Sequence, residues 1–121
     1  MTDLTGKRVL VVEDEPVVAM CLEDVLEDLG CVLVGTGHDV ASGLALAGEP
    51  ADIAILDINL GTETSAPIAE ALAVRGVPIV FATGYDRDAA PPGAEVIAKP
   101  YSTAQVEAAL RRVLAAAATA G

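Results

Sequence analysis

Aromatic residues are nearly absent from this chain of 121 residues, which has two tyrosines, one phenylalanine and no tryptophan. The core must therefore consist mainly of aliphatic side chains, and 53% of the residues are hydrophobic. A chain of this length suffices for one domain with one buried core. We therefore interpret residues 1–121 as a single domain, with a core over about 7–114 and an alanine-rich tail over 115–121.

Basic residues are also scarce, because 7 lysines and arginines stand against 18 acidic residues and give a formal net charge of −11. Such a surface repels phosphate backbones, so we expect no nucleic-acid partner, although a bound cation is favoured. No apolar run has the length of a membrane span. The first run, Val9–Val12, is too short for a secretory signal and ends at acidic residues. These features predict a cytoplasmic protein with no membrane partner.

Only two cysteines are present, Cys21 and Cys31, and their spacing fits neither a metal site nor a redox motif. We interpret both as reduced residues of the core. The single histidine, His38, has no second histidine or cysteine at ligand spacing. We therefore assign it to a surface loop.

Short apolar runs predict five strands of a parallel sheet, of which the first and the third are predicted to be buried. These runs are Val9–Val12, Cys31–Val34, Ile53–Leu56, Pro78–Ala82 and Glu95–Ala98. Helical patterns follow all of them except the fourth. Residues 85–93, which follow the fourth run, contain two adjacent prolines and no apolar stripe. We expect at most about one helical turn there, in a mobile segment. Right-handed crossovers then predict an α/β fold with helices on both faces of the sheet.

Polar residues stand where four of these runs end. Glu13 and Asp14 follow the first run, Asp57 the third, Thr83 the fourth and Lys99 the fifth. Because the carboxyl ends of parallel strands share one edge of the sheet, we expect these side chains to converge. Three carboxylates repel one another unless a cation neutralises them, and Mg²⁺ prefers oxygen ligands. One carboxylate could then act as a nucleophile toward phosphorus, with the ammonium and the hydroxyl binding phosphoryl oxygens.

This combination of residues resembles the receiver domain of two-component response regulators, over about residues 7–114. The resemblance implies a flavodoxin-like (CheY-like) fold with a five-stranded parallel sheet in the order 2-1-3-4-5. It implies that a sensor histidine kinase or a histidine phosphotransfer protein phosphorylates Asp57. It also implies that Asp14, Asp57 and the backbone carbonyl of Asn59 hold Mg²⁺, with Glu13 reaching the ion mostly through water. The domain is then a phosphoacceptor that signals by protein contact, rather than an enzyme.

The stretch Phe81–Tyr85 further resembles a bacterial subfamily of single-domain receivers named for its FATGUY motif and associated with kinases of the HWE and related types. The family also implies a cis peptide bond before Pro100. Val96 stands where receivers customarily have an aromatic switch residue. We therefore predict that Thr83 and Tyr85 act as the switch residues, and that phosphorylation of Asp57 orders the mobile segment 85–93 through them.

Three alternatives remain open from the sequence. A degenerate receiver would act as an interaction module without phosphorylation. A phosphatase of the haloacid dehalogenase type would need a second acid where Asn59 stands. A flavodoxin-like FMN module would need a loop rich in Ser, Thr and Gly where Glu13–Glu15 stand. Leu60–Gly61 replaces the Met-Pro usual after the phosphorylated Asp, so we expect an atypical loop there.

Overall fold

The structure, a computed structural model, describes residues 3–84, 90–99 and 101–120. The elements in these residues are, in chain order, β1 (Arg8–Val12), α1 (Pro16–Asp28), β2 (Val32–Gly37), α2 (Val40–Leu46), β3 (Ile53–Asp57), β4 (Asn59–Leu60), β5 (Glu63–Thr64), α3 (Ala66–Val74), β6 (Ile79–Thr83), β7 (Glu95–Ala98) and α4 (Thr103–Ala120). A five-stranded sheet has the order β2-β1-β3-β6-β7, and its strand pairs are parallel. Since β6 and β7 are the fourth and fifth predicted strands, the flavodoxin-like fold class is confirmed.

The core has two layers, one on each face of this sheet, because side chains along a strand alternate in direction. On β1, Val9 and Val11 pack in a cluster with buried residues of α1 and α4. Leu10 and Val12 pack on the other face, in a cluster with buried residues of α3. Full burial of such side chains contributes about 1.5–3 kcal/mol each, which compensates for the near absence of aromatics.

A small antiparallel hairpin, β4–β5, follows β3, in the loop that is predicted to be atypical. Asn59 pairs with Thr64, and Leu60 pairs with Glu63. Gly61 begins the turn with a φ of 66°, a left-handed conformation that glycine adopts without steric cost. The buried side chain of Leu60 anchors the hairpin to the core below α3. The hairpin therefore holds Asn59 and Gly61 next to the end of β3.

Between β6 and β7, the described residues 84 and 90–94 contain no helix. Residues 85–89 lie outside the described part of the chain, and with them Tyr85 and most of the segment for which a short, mobile turn is predicted. Helix α4 continues to Ala120, so it includes alanines that the sequence assigned to a tail after Leu114. Within the described residues, no helix combines the length and the apolar character needed to span a membrane.

The prediction that both cysteines belong to the core was wrong for Cys21, which is exposed. Cys31 is half-buried and packs against the core cluster that contains Val9 and Val11. The buried residues of α1 are Ala19, Leu22 and Leu26, so the apolar face of the helix points away from Cys21. A helical apolar stripe leaves the residues at its edge ambiguous, and only the packing of α1 on the sheet determines their exposure.

Candidate functional site: an acidic cleft at the carboxyl edge of the sheet

The predicted site residues meet at one edge of the sheet because every strand that carries them runs in the same direction. Glu13 and Asp14 directly follow β1, Asp57 ends β3, Thr83 ends β6, and Lys99 directly follows β7. Glu13 and Asp57 are 1% and 4% exposed, and the Thr83 side chain is also buried. The convergence inferred from strand ends alone is therefore confirmed.

Three carboxylates form the acidic part of the site. One oxygen each from Glu13, Asp14 and Asp57 lie within 4.8 Å of one another. Asp14, Asp57 and Asn59 line a cleft of about 190 Å³, together with Gly61 and residues of the neighbouring loops. The donors are oxygen atoms of hard, anionic groups, and the cleft has room for water, so the set fits Mg²⁺.

Lys99 connects two of these acids. Its ammonium donates to Asp57 Oδ2 at 2.8 Å and contacts Glu13 Oε1 at 2.9 Å and Oε2 at 3.1 Å. Burial lowers the pKa of Lys99, but the hydrogen bonds to Asp57 and Glu13 outweigh burial and hold the pKa above its usual value. Lys99 is therefore a permanent positive charge in contact with the phosphoacceptor candidate.

The acids of the cluster differ in proton affinity. Burial and the neighbouring Glu13 raise the pKa of Asp57 to about 7, against the opposing effect of Lys99. Burial also acts on Asp14, but hydrogen bonds shared with Glu13 and Asp57 and one from the Gly61 amide hold its pKa below the usual range. That amide donates to Asp14 Oδ2 at 3.0 Å. A proton and a cation therefore compete chiefly at Asp57.

The surroundings of Thr83 are formed by β6 and β7. Phe81 and Val96 are paired in the register of β6 and β7 and pack in the same core cluster. Val96 is half-buried, whereas Thr83 pairs with Ala98. Gly84 lines the cleft directly after Thr83. Tyr85 and Pro100, to which switching and a cis bond were assigned, lie outside the described residues, so both assignments stay predictions.

Residues that the sequence analysis did not assign to the site surround Glu13. The Tyr101 hydroxyl donates to Glu13 Oε1 at 3.4 Å, and the Glu15 amide donates to Oε2 at 3.2 Å. Burial and the nearby Glu13 hold the pKa of Tyr101 above its usual range, so its hydroxyl stays a donor. His38 Nδ1 lies 3.0 Å from the carbonyl oxygen of Glu13. His38 is exposed in a loop, as predicted, yet it also contacts the site.

The positions of Tyr101 and His38 in the sequence could have indicated that they lie near the site. Tyr101 stands two positions after Lys99, and His38 directly follows β2, so each lies at the same edge of the sheet. The direction of their side chains depends on how the loops pack, and no spacing pattern predicts it.

An open groove lies beside the cleft, along α1. Its volume is about 400 Å³, and it is lined by Glu15, Val17, Val18, Cys21, Lys99 and Tyr101. We call it the α1 groove. Val17 is 74% exposed, and Met20 on the same helix is 62% exposed. An apolar surface thus adjoins the charged cleft.

Comparison with known proteins agrees with this geometry. The family model described as response regulator receiver domain matches residues 9–111. The phyllosphere-induced regulator PhyR of Methylorubrum extorquens (strain AM1) is 31% identical over 118 residues, which cover 88% of this chain but 43% of that protein. The chain thus spans less than half the length of this curated relative.

Solved structures are similar over nearly the whole chain. The solution structure of SdrG from Sphingomonas melonis Fr1 is 46% identical, covers 94% of this chain and 99% of its own, and has a TM-score of 0.79. The solution structure of a BeF3-activated conformation of SdrG from Pseudomonas melonis Fr1 is also 46% identical, with the same coverage and a TM-score of 0.76.

Proposed function

Because the chain belongs to the response regulator receiver family, we propose that Asp57 accepts a phosphoryl group in a Mg²⁺-dependent reaction. The observation that carries the proposal is the position of Asp57. Its buried carboxylate contacts the Lys99 ammonium at 2.8 Å and lies within 4.8 Å of oxygens of Glu13 and Asp14. A nucleophilic carboxylate, a phosphoryl-binding cation and a metal-binding oxygen set are the groups that this reaction requires.

The phosphodonor is a phosphohistidine of a sensor histidine kinase or of a histidine phosphotransfer protein. An oxygen of the ionised Asp57 attacks phosphorus, the P–N bond breaks, and its electron pair stays on the imidazole. Lys99 donates a hydrogen bond to one phosphoryl oxygen, and the Thr83 hydroxyl donates to another. Asp14, Asp57 and Asn59 would hold Mg²⁺, with Glu13 contributing through water. The ion supplies neutralisation of charge on the transferring group.

The protonation of Asp57 limits this reaction at low pH. A protonated carboxyl is a poor nucleophile, and the raised pKa of Asp57 means that the metal-free site holds a proton at mildly acidic pH. Binding of Mg²⁺ favours the ionised form because the ion's charge stabilises the carboxylate. At mildly acidic pH, the fraction of Asp57 that is ionised, and so able to attack phosphorus, would therefore increase when the cation binds.

The α1 groove provides a contact surface next to the cleft. A protein phosphodonor must bring its imidazole to Asp57 through the open side of the cleft, where Val17 and Tyr101 line the groove. Exposed apolar residues beside a charged site are typical of protein docking surfaces. The phosphorylated domain then signals in the cytoplasm by contact with a further protein. We propose more specifically that a histidine kinase of the HWE type phosphorylates Asp57.

A phosphatase with Asp57 as nucleophile is less well supported. Such an enzyme needs a second acid beside the nucleophile to protonate the leaving group and to activate water. Asn59 lines the cleft at that place, and its amide can do neither. We therefore propose a phosphoacceptor rather than an enzyme.

The test is phosphorylation of the purified chain by a small phosphodonor such as acetyl phosphate. With Mg²⁺, mass spectrometry should detect one added phosphoryl group, and Asp57→Asn should abolish the addition. Asp24→Asn, which removes an exposed carboxylate on α1, is the matched control and should be labelled like the wild type. Labelling that persists in Asp57→Asn, or that is unaffected by removal of Mg²⁺, would contradict the proposal.

A further inference from the structure

We propose that Tyr101 is a positioning residue for the phosphorylated state: its hydroxyl stabilises the Glu13 carboxylate when Lys99 turns to the phosphoryl group. The inference rests on the proposed function and adds a residue to it. It starts from a specific contact, because the Tyr101 hydroxyl and the Lys99 ammonium share one oxygen of Glu13. Their distances to Glu13 Oε1 are 3.4 Å and 2.9 Å.

Before phosphorylation, Lys99 has two anionic partners within hydrogen-bond distance, Asp57 and Glu13, and a more distant one in Glu15 Oε1 at 3.9 Å. A phosphoryl group on Asp57 carries up to about two negative charges, in place of the single charge of the free carboxylate. The ammonium of Lys99 is then attracted toward that group and away from Glu13. The distance that matters is the one to Glu13 Oε1, because this oxygen loses its closest cation when Lys99 moves.

Contact with bulk solvent cannot replace the lost cation, since Glu13 is 1% exposed. A buried carboxylate that loses a hydrogen-bonded cation is strongly destabilised unless other donors remain. The Glu15 amide donates to the second oxygen, Oε2, at 3.2 Å. The Tyr101 hydroxyl remains for Oε1. It therefore lowers the free energy of the arrangement in which Lys99 has left Glu13.

The tyrosine ring is well placed to hold this hydroxyl. Tyr101 is half-buried and packs against the core cluster formed by the sheet with α1 and α4. It stands directly between Lys99 and the start of α4 at Thr103, with one residue on each side. A phenylalanine at this position would keep the packing and lose only the donor. The role of the hydroxyl can thus be separated from the role of the ring.

The first experiment compares wild type with Tyr101→Phe in two titrations. One measures the affinity for Mg²⁺ alone by calorimetry, and the other measures the affinity for beryllofluoride at saturating Mg²⁺. We expect beryllofluoride to bind about tenfold more weakly to Tyr101→Phe, in the range of one hydrogen bond to a charged group. The Mg²⁺ affinity should change less than about twofold, because Lys99 still pairs with Glu13 when no phosphoryl mimic is bound.

Two matched variants make the result specific. Thr36→Val removes another hydroxyl–carboxylate hydrogen bond, from Thr36 Oγ1 to Glu23 Oε2 at 2.6 Å, and should bind beryllofluoride like the wild type. Glu13→Gln removes the charge that holds Lys99. In the Glu13→Gln background, Tyr101→Phe should have no further effect on beryllofluoride affinity, because no buried anion is left for the hydroxyl to stabilise.

The outcomes are distinguishable. Wild-type affinity in Tyr101→Phe, or an effect that persists unchanged in Glu13→Gln, would overturn the role of Tyr101 while leaving the proposed function intact. A wild-type protein that binds neither Mg²⁺ nor beryllofluoride would overturn the proposed function and this inference together. A measurement on wild type needs no variant: the NMR signals of the Tyr101 ring should shift on addition of beryllofluoride, and an unchanged ring would contradict the inference.

Discussion

The ammonium of Lys99 lies 2.8 Å from Oδ2 of Asp57, although the two residues are 42 positions apart in the chain. This contact places a permanent cation against the one carboxylate that ends a buried central strand. The proposed phosphoacceptor role rests on this arrangement, in which an acid is held by a cation and flanked by two further acids. Four predictions follow from this arrangement and from the surface beside it.

Replacement of Lys99 should separate phosphoryl binding from the conformational response. We expect Lys99→Ala to fold in the presence of Mg²⁺, because the ion replaces the lost charge beside Asp57 and Glu13. Its NMR shift changes on addition of beryllofluoride should be much smaller than those of the wild type, since the residue that responds to the phosphoryl group is gone. Lys7→Ala, which removes a lysine at the start of β1, is the control. A response of wild-type size in Lys99→Ala would rule out this role.

Affinity for Mg²⁺ should fall as the pH is lowered through about 7, the pKa to which burial and Glu13 raise Asp57. Below that pKa, binding of the cation must displace a proton, so the dissociation constant should rise about tenfold per pH unit when one proton is released. Calorimetry between mildly acidic and mildly basic pH measures this slope. Asp57→Asn should bind Mg²⁺ more weakly, and its dissociation constant should no longer depend on pH in this range. If the variant shows the same pH dependence as the wild type, the released proton belongs to another group.

The stability of the metal-free protein should also depend on Asp57. In the unfolded chain the pKa of an Asp carboxyl is about 3.9, whereas the folded protein raises the pKa of Asp57 to about 7. Between these values the folded state binds the extra proton, so this residue's contribution to the free energy of unfolding declines as the pH rises through that window. Urea unfolding in the presence of a chelator tests the sign. In Asp57→Asn, the free energy of unfolding should decline less as the pH rises. In the wild type, saturating Mg²⁺ should offset this decline.

Phosphotransfer from a protein donor should depend on the α1 groove. Val17→Ser removes an exposed apolar contact without adding charge, and we expect transfer from a phosphorylated histidine kinase to slow about fivefold, as for the loss of one apolar side-chain contact. Transfer from acetyl phosphate should be unchanged, because a small donor enters the cleft directly. Val74→Ser on α3 is the control, since Val74 is 84% exposed and does not line the groove. Equal slowing by both variants would place the docking surface elsewhere.

Much of the fold was predictable because its signals are local. Each buried strand is a short apolar run, and each run that carries a site residue ends at that residue or directly before it. Parallel strands bring their carboxyl ends together whatever the details of packing. Glu13, Asp57 and Lys99 could therefore be assigned to one site from positions alone, before any distance between them was known.

Other features depend on contacts that no local pattern encodes. The exposure of Cys21 depends on the rotation of α1 about its axis, and a period of 3.6 residues leaves a residue at the edge of the stripe ambiguous. The hairpin after β3 depends on pairing between four residues that carry no strand pattern of their own. Tyr85 and Pro100 lie outside the described residues, so for them the sequence remains the basis of the prediction.

The sequence by itself determined the five strands of the main sheet, the four helices that alternate with them and which residues stand at the carboxyl edge of the sheet, but not the β4–β5 hairpin. Only the tertiary structure decided which of those residues touch. Lys99 and Glu13 are 86 positions apart, and Tyr101 and Glu13 are 88 apart. Whether such side chains meet depends on the register of the strands and on the packing of the loops. The physical reason is that hydrogen bonds and ion pairs act over a few ångströms, whereas hydrophobic periodicity specifies only the face on which a residue lies.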